Sequence, residues 1–65
     1  MIIHHNGEET TIANPQLNEA LRELGYIEGR FATAVNENFV PISERQTITL
    51  RDGDRLEVVA PMSGG

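Results

Sequence analysis

One short apolar stripe, Leu17, Ala20, Leu21 and Leu24 at helical spacing, limits most sharply what this chain can fold into. Before it, Asn14-Pro15 reads as an N-cap followed by proline at the first helical position, where a missing N–H costs nothing. After it, Gly25 stands where a left-handed C-terminal cap belongs. Asn18, Glu19, Arg22 and Glu23 fall mainly on the wetter faces. The predicted helix is short and amphipathic, so its stripe must lie against a sheet.

The sequence around the stripe supplies that sheet. Ile2-Ile3-His4-His5 predicts a strand closed by Asn6-Gly7, a strong hairpin signal. Thr10-Thr11-Ile12 predicts the returning strand, since β-branched residues suit a pleated surface. Phe31 to Val35 reads as a third strand, ended by a turn at Asn36-Glu37-Asn38. Phe39-Val40 returns briefly before Pro41 interrupts any ladder. Ile42 to Gln46 reads as irregular, and Thr47-Ile48-Thr49-Leu50 alternates like a strand. Asp52-Gly53 predicts a tight turn, and Leu56 to Ala60 the last strand, stopped by Pro61. The resulting order is strand, strand, helix, strand, short strand, strand. Helix and sheet are segregated, which predicts an α+β fold with one helix across one face of a mixed sheet. Leu17, Leu21 and Leu24 are expected to pack on Ile3, Leu56 and Val58, and Phe39 can serve either the core or the docking patch, with the core expected. The domain is expected to span residues 1–60, with 61–65 a flexible tail.

Sixty-five residues make one small domain, and a chain of this size buries only about 60% of the surface its unfolded form exposes. A core so small leaves little room for a deep catalytic pocket, which favours a binding or carrier role over an enzyme. Ten acidic side chains against five arginines give a formal net charge of −5. That balance argues against nucleic acid and against an anionic membrane surface, and suits a partner with a basic docking surface. Cysteine is absent, so disulfides, thiolate metal ligands and a thiol nucleophile are excluded. Met1-Ile2-Ile3 is too short an apolar run for a signal peptide or a membrane span, and the expected compartment is the cytoplasm.

The sequence finishes Pro61-Met62-Ser63-Gly64-Gly65. Terminal glycines have no side chains to pack, but they make a thin, extendable arm whose carboxylate can enter a narrow enzyme cleft. The α-carboxylate of Gly65 is therefore the candidate reactive group. Lysine is also absent. An activated Gly65 carboxylate would meet neither a lysine amine nor a cysteine thiol of its own chain.

Taken in order, these motifs resemble a known family. They are Ile3 to Glu8 around Asn6-Gly7, the helix ending at Leu24-Gly25, and Ala32-Thr33-Ala34-Val35-Asn36 leading to Val40-Pro41. Asp52 to Val59 and Met62-Ser63-Gly64-Gly65 complete the set. The chain resembles the ubiquitin-like β-grasp sulfur carriers, most closely those of thiamine biosynthesis, over nearly its whole length. The resemblance implies a partner adenylyltransferase, similar to ubiquitin-activating enzymes, that uses ATP and magnesium to convert the terminal carboxylate to an acyl-adenylate. Sulfur from a persulfide donor, a cysteine desulfurase or similar carrier, then displaces AMP. The product is a thiocarboxylate on the last glycine, which thiazole synthase consumes. By position, Gly65 is the acceptor and Gly64 its slim neighbour, with Met62 and Ser63 completing the arm. The chain itself is expected to be a carrier that binds no cofactor, not a catalyst.

Relatives dock through an apolar patch on the exposed sheet face together with the tail. Val59 and Met62 are the candidates here, because Leu56, Val58 and Ala60 share the opposite face of the last strand. His4-His5 is no part of the resemblance. The two imidazoles point to opposite faces of a strand, a metal site would need further converging ligands that the sequence does not place, and one imidazole is expected to be exposed. Asp52 and Asp54 are expected to cap a turn, and Glu8-Glu9 to be a solvated hairpin end. Three alternatives stay open at this point: a sulfur carrier for molybdopterin or tRNA thiolation, a ubiquitin-like modifier of other proteins, and an interaction domain with an inert tail.

Overall fold

The computed structural model describes residues 1–27 and 30–60. Strand β1 (Ile2–His5) turns through Asn6-Gly7 into β2 (Glu8–Thr11). Asn6 and Gly7 have φ of 50° and 87°, the left-handed pair whose twist matches the flanking strands in a two-residue hairpin. His5 pairs with Glu8 across the turn. The returning strand thus begins at Glu8, ahead of the expected Thr10, and Ile12 leaves it for the core.

Helix α1 spans Leu17–Glu23, starting later than Asn14-Pro15 suggested. Gln16 is its N-cap, with its side-chain oxygen accepting from Glu19 N–H at 3.2 Å, while Asn14 Oδ1 accepts from Gln16 N–H at 3.0 Å. The reason lies far along the chain. Leu50 N–H donates to the Pro15 carbonyl at 2.7 Å, Gln16 bridges Thr49, and Leu17 N–H donates to the Ile48 carbonyl at 3.0 Å. This clamp holds Gln16 extended, with ψ of 128°, so the helix cannot begin before it. The far end matches expectation. Gly25 takes φ of 100°, Tyr26 N–H donates to Leu21 C=O at 2.9 Å, and Gly25 N–H donates to Arg22 C=O at 3.0 Å. That is the paired hydrogen-bond pattern of a glycine-terminated helix.

Thr47 to Leu50 forms no strand, only the isolated bridge to Gln16. The stretch read as irregular is a 3₁₀ helix over Ile42–Thr47. Strands β3 (Ala32–Val35) and β4 (Asn38–Val40) join through Asn36-Glu37, so Asn38 belongs to the strand and not to the turn. Strand β5 is Arg55–Val59, leaving Ala60 outside it and exposed. The sheet order is β2-β1-β5-β3-β4. β1 and β5 run parallel and the other neighbours antiparallel.

The helix covers one face of this mixed sheet, the α+β arrangement expected. Ile3, Ile12, Leu17, Ala20, Leu21, Val40, Leu50, Leu56 and Val58 form the buried core, and half-buried Leu24 packs against it. Both ends of the predicted helix–sheet contact are present.

Candidate functional site

Alternation along β5 sends Leu56 and Val58 into the core and leaves Arg55, Glu57 and Val59 on the open face of the sheet. Val59 is 67% exposed. On β3 and β4 the register pairs Thr33 with Val40, both buried, and Ala34 with Phe39. Phe39 therefore faces outward, 68% exposed, which corrects the expectation that it joins the core. Two adjacent apolar residues on a strand cannot both face inward, and the pairing with Thr33 gives the inner place to the smaller Val40.

The register also brings the open-face residues together. Ala34 stands between Phe39 on β4 and Glu57 on β5, and Ala32 pairs with Val59. Two small residues on β3, flanked by two large apolar ones on β4 and β5, leave a shallow groove. Ala32, Ala34, Glu37, Phe39, Glu57 and Val59 line it. Its carboxylates sit at the rim, where Glu37 Oε1 meets Arg55 Nη2 at 3.4 Å in an exposed pair. Such a pair is worth little to stability.

Val59, the last residue of β5, lies at this groove. Met62, Ser63, Gly64 and Gly65, together with Pro61, lie outside the described residues. Asn6 holds the end of β5 in a way that its hairpin role did not reveal. β1 pairs with β5 only at His4–Arg55 and His5–Leu56 before turning away. Beyond that point the Asn6 amide replaces the missing strand: its Oδ1 accepts from Val58 N–H at 2.8 Å and its Nδ2 donates to Val58 C=O at 3.1 Å. A residue read as a turn former thus extends the ladder to the residue before Val59.

The turn at Asp52-Gly53 is built as expected. Asp52 Oδ1 accepts from Ile2 N–H at 2.7 Å, Asp54 Oδ2 from Arg51 N–H at 2.8 Å, and Asp54 Oδ1 from Asn36 Nδ2 at 3.0 Å. The two carboxylates hold backbone in place and form no acid–base pair. Neither histidine is fully exposed, contrary to expectation. His5 lies 2.8 Å from the Tyr26 hydroxyl through Nε2 and stands edge-on to its ring. His4 flanks a recess on the open face with Gly7, Arg55 and Glu57. Among the described residues no cluster of three or more His, Cys, Asp or Glu could hold a metal ion.

The 3₁₀ helix contributes the buried Arg45, 7% exposed, which the sequence reading passed over as part of an irregular stretch. Its Nε donates to Thr33 Oγ1 at 3.2 Å and its Nη2 to Phe31 C=O at 2.6 Å, and the guanidinium lies 4.3 Å from the Phe31 ring centroid. Burial pulls its pKa down from the ordinary value, but a guanidinium stays charged. Arg45 fixes β3 from below the floor of the groove. At the helix end, Glu23 accepts from the backbone N–H groups of Ala13 and Asn14 at 2.7 to 3.1 Å. These bonds hold its carboxyl below the usual carboxylate range.

Comparison with known proteins agrees with this geometry. The profile of the ThiS family matches residues 3–65. A crystal structure of the thiamine biosynthesis protein ThiS from Geobacter metallireducens shares the fold at a TM-score of 0.83, over 100% of both chains, with 23% identity. A thiazole synthase from Paramagnetospirillum magneticum is 39% identical over 61 residues, which is 92% of this chain but 19% of that protein. The chain thus spans about a fifth of that relative's length. With a profile match over nearly all its residues and a β-grasp sheet and helix beneath it, the chain belongs to the ThiS family.

Proposed function

We propose that this chain carries sulfur for thiamine biosynthesis as a thiocarboxylate on Gly65, delivered to thiazole synthase. The observation that carries this reading is the family match, which runs through residue 65 and so takes in Gly64-Gly65. The relative named thiazole synthase supports the acceptor, because a segment like this chain lies within its own polypeptide.

A carboxylate resists nucleophiles until its oxygen becomes a good leaving group. A partner adenylyltransferase supplies that step with ATP and magnesium. The Gly65 carboxylate attacks the α-phosphorus, pyrophosphate leaves, and an acyl-adenylate forms. The terminal sulfur of a donor persulfide then attacks the acyl carbon, a C–S bond forms, and AMP departs. A thiol cleaves the S–S bond of the resulting acyl disulfide, taking up the donor sulfur in a new disulfide and releasing the thiocarboxylate. The absence of lysine and cysteine from the chain leaves the activated terminus without a side-chain amine or thiol to capture it. Gly64 keeps the arm narrow, and Met62 and Ser63 connect it to the domain. Val59, exposed on the open face, with Met62 beyond it, forms the surface that meets the partner. These reactions use cytoplasmic reagents, so the reading puts the carrier in the cytoplasm. No described helix is long and apolar enough to cross a membrane.

The test is a mass measurement. With its adenylyltransferase, ATP, magnesium and a persulfide donor, the protein gains the mass of one oxygen-for-sulfur exchange, and fragmentation maps it to Gly65. Deleting Gly65 abolishes the gain, Gly64→Val slows it by widening the arm, and Val59→Asp weakens docking while the melting curve is retained. A terminal carboxylate left unmodified by a competent adenylyltransferase refutes the proposal.

A further inference from the structure

Between α1 and the 3₁₀ helix, on the side opposite the open face of the sheet, lies an arginine whose charge the fold does not answer. Arg45 is 7% exposed, and an ion so deeply buried is ordinarily paired. Among the described residues the one ion pair joins Arg55 to Glu37, so Arg45 has none. Burial alone acts on its pKa, downward, with no neighbouring carboxylate opposing it.

Its hydrogen bonds show which part is spare. A guanidinium offers five N–H donors in a rigid fork. The edge made by Nε and Nη2 is used inside the fold, by Thr33 Oγ1 and the Phe31 carbonyl. The other edge, Nη1 with the second N–H of Nη2, has no partner among the described residues. No buried side-chain nitrogen among them lacks a partner, so Nη1 reaches open space. That space is a recess of about 340 Å³, where Arg45, Arg22 and Glu19 meet Tyr26, Ile27 and Ile42. A concavity of this size, with apolar walls and a few convergent polar groups, has the make-up of a small-ligand site.

Walls and charge describe the ligand. Ile27 and Ile42 are 63% and 75% exposed. Ile42 stands three residues before Arg45 on the 3₁₀ helix, where side chains at that spacing eclipse. The mouth is thus apolar above a cationic floor. Two arginines and one glutamate leave the lining with one net positive charge, which suits a single negative charge better than a phosphate dianion. The planar free edge of a guanidinium matches both oxygens of a carboxylate.

We propose that this recess binds a carboxylate on an apolar body, its two oxygens on the free edge of Arg45 and its body against Ile27 and Ile42. Such a site belongs to the chain alone, whatever becomes of Gly65. The same chemistry can arrive as a free acid or as an aspartate or glutamate side chain on a partner.

Titration of the full chain with benzoate, followed by NMR at constant ionic strength above neutral pH, tests this. The Arg45 guanidinium and the Ile27 and Ile42 methyl signals should move together and saturate at millimolar benzoate or below. Inorganic phosphate should bind about tenfold more weakly or worse. Arg45→Met, with its fold checked by melting, removes the saturable shift. Because Arg45 also supports the fold, Ile42→Glu is the second variant. On an exposed residue, it lays a carboxylate of the chain's own over Arg45 and weakens benzoate binding about tenfold or more, with no fall in melting temperature. Shifts that never saturate, a saturable shift that survives in either folded variant, or phosphate binding as tight as benzoate overturns the site. Affinities for thiazole synthase and for the adenylyltransferase, with and without saturating benzoate, then separate the two sources. Competition with one of them, matched by its loss of affinity for Ile42→Glu, assigns the carboxylate to that partner's side chain. Unchanged affinity for both assigns it to a free acid.

Discussion

Replacing Arg45 with alanine isolates what the 3₁₀ helix contributes to the fold. The side chain is 7% exposed and gives hydrogen bonds to Thr33 Oγ1 and Phe31 C=O, with its guanidinium over the Phe31 ring. Thr33 Oγ1 keeps its own bond to Val40 C=O at 3.1 Å, so the hydroxyl is not orphaned by the change. The Phe31 carbonyl loses its partner at 2.6 Å, and the ring loses the cation above it. A hydrogen bond from a charged donor contributes about 1.5–3 kcal/mol, and the stacked cation adds about 0.5–1 kcal/mol. Because water can reach the half-buried Phe31, the expected loss for Arg45→Ala is about 2–4 kcal/mol. A domain of 65 residues has about 3–10 kcal/mol in total, so the variant forfeits a large share of it. At about 4–8 °C per kcal/mol for a domain this small, the melting temperature falls by about 8 °C or more. Arg45→Met keeps the stem packed on Phe31 and removes a buried charge, so its melt should lie between the two. Circular dichroism melts of the three proteins decide the matter. An Arg45→Ala midpoint within about 3 °C of wild type refutes the claim that Arg45 ties the 3₁₀ helix to β3.

Leu21, fully buried between helix and sheet, should cost about 2–5 kcal/mol on replacement by alanine, read as a fall in the urea midpoint; an unchanged midpoint removes it from the core. Glu23 predicts an acid-side effect, because its folded-state pKa is lowered by the bonds from Ala13 and Asn14. A depressed carboxyl stabilises the fold above its unfolded-state pKa and ceases to do so as pH falls through the folded value. Wild type should therefore be more stable than Glu23→Gln at neutral pH, and that advantage should shrink as the pH falls through and below the ordinary carboxylate range. A difference that is constant from pH 7 down to acid denaturation would contradict the assignment.

Much of the architecture was legible because its signals are local. Asn6-Gly7 and Asp52-Gly53 name their own turns, and Gly25 marks a helix end that only a left-handed residue can make. The alternation of Leu56, Glu57, Val58 and Val59 told the faces of β5 apart, and Val59 is exposed as that pattern requires. The larger misreadings of the helix start and of Thr47 to Leu50 lie where two distant segments meet. Asn14-Pro15 has every mark of a helix start, but pairing of residues 15–17 with 48–50 holds the backbone extended there. The same contact leaves Thr47 to Leu50 with one bridge in place of a strand.

For the proposed function, the sequence alone supplied the premises: the pair Gly64-Gly65, the absence of lysine and cysteine, and an acidic composition. Those depend on which residues are present, and need no coordinates. Tertiary structure decided which apolar side chains stand on the open face of the sheet. Phe39 or Val40 could have faced the core, and only the register of β3 against β4, pairing Thr33 with Val40, turned Phe39 outward to wall a groove. Asn6 was a turn residue until the end of β1 left Val58 needing a partner, and Arg45 was one of five arginines until the 3₁₀ helix drove it beneath β3. A side chain's neighbours across a sheet follow from strand order and register, and both are set by contacts between residues far apart in the chain.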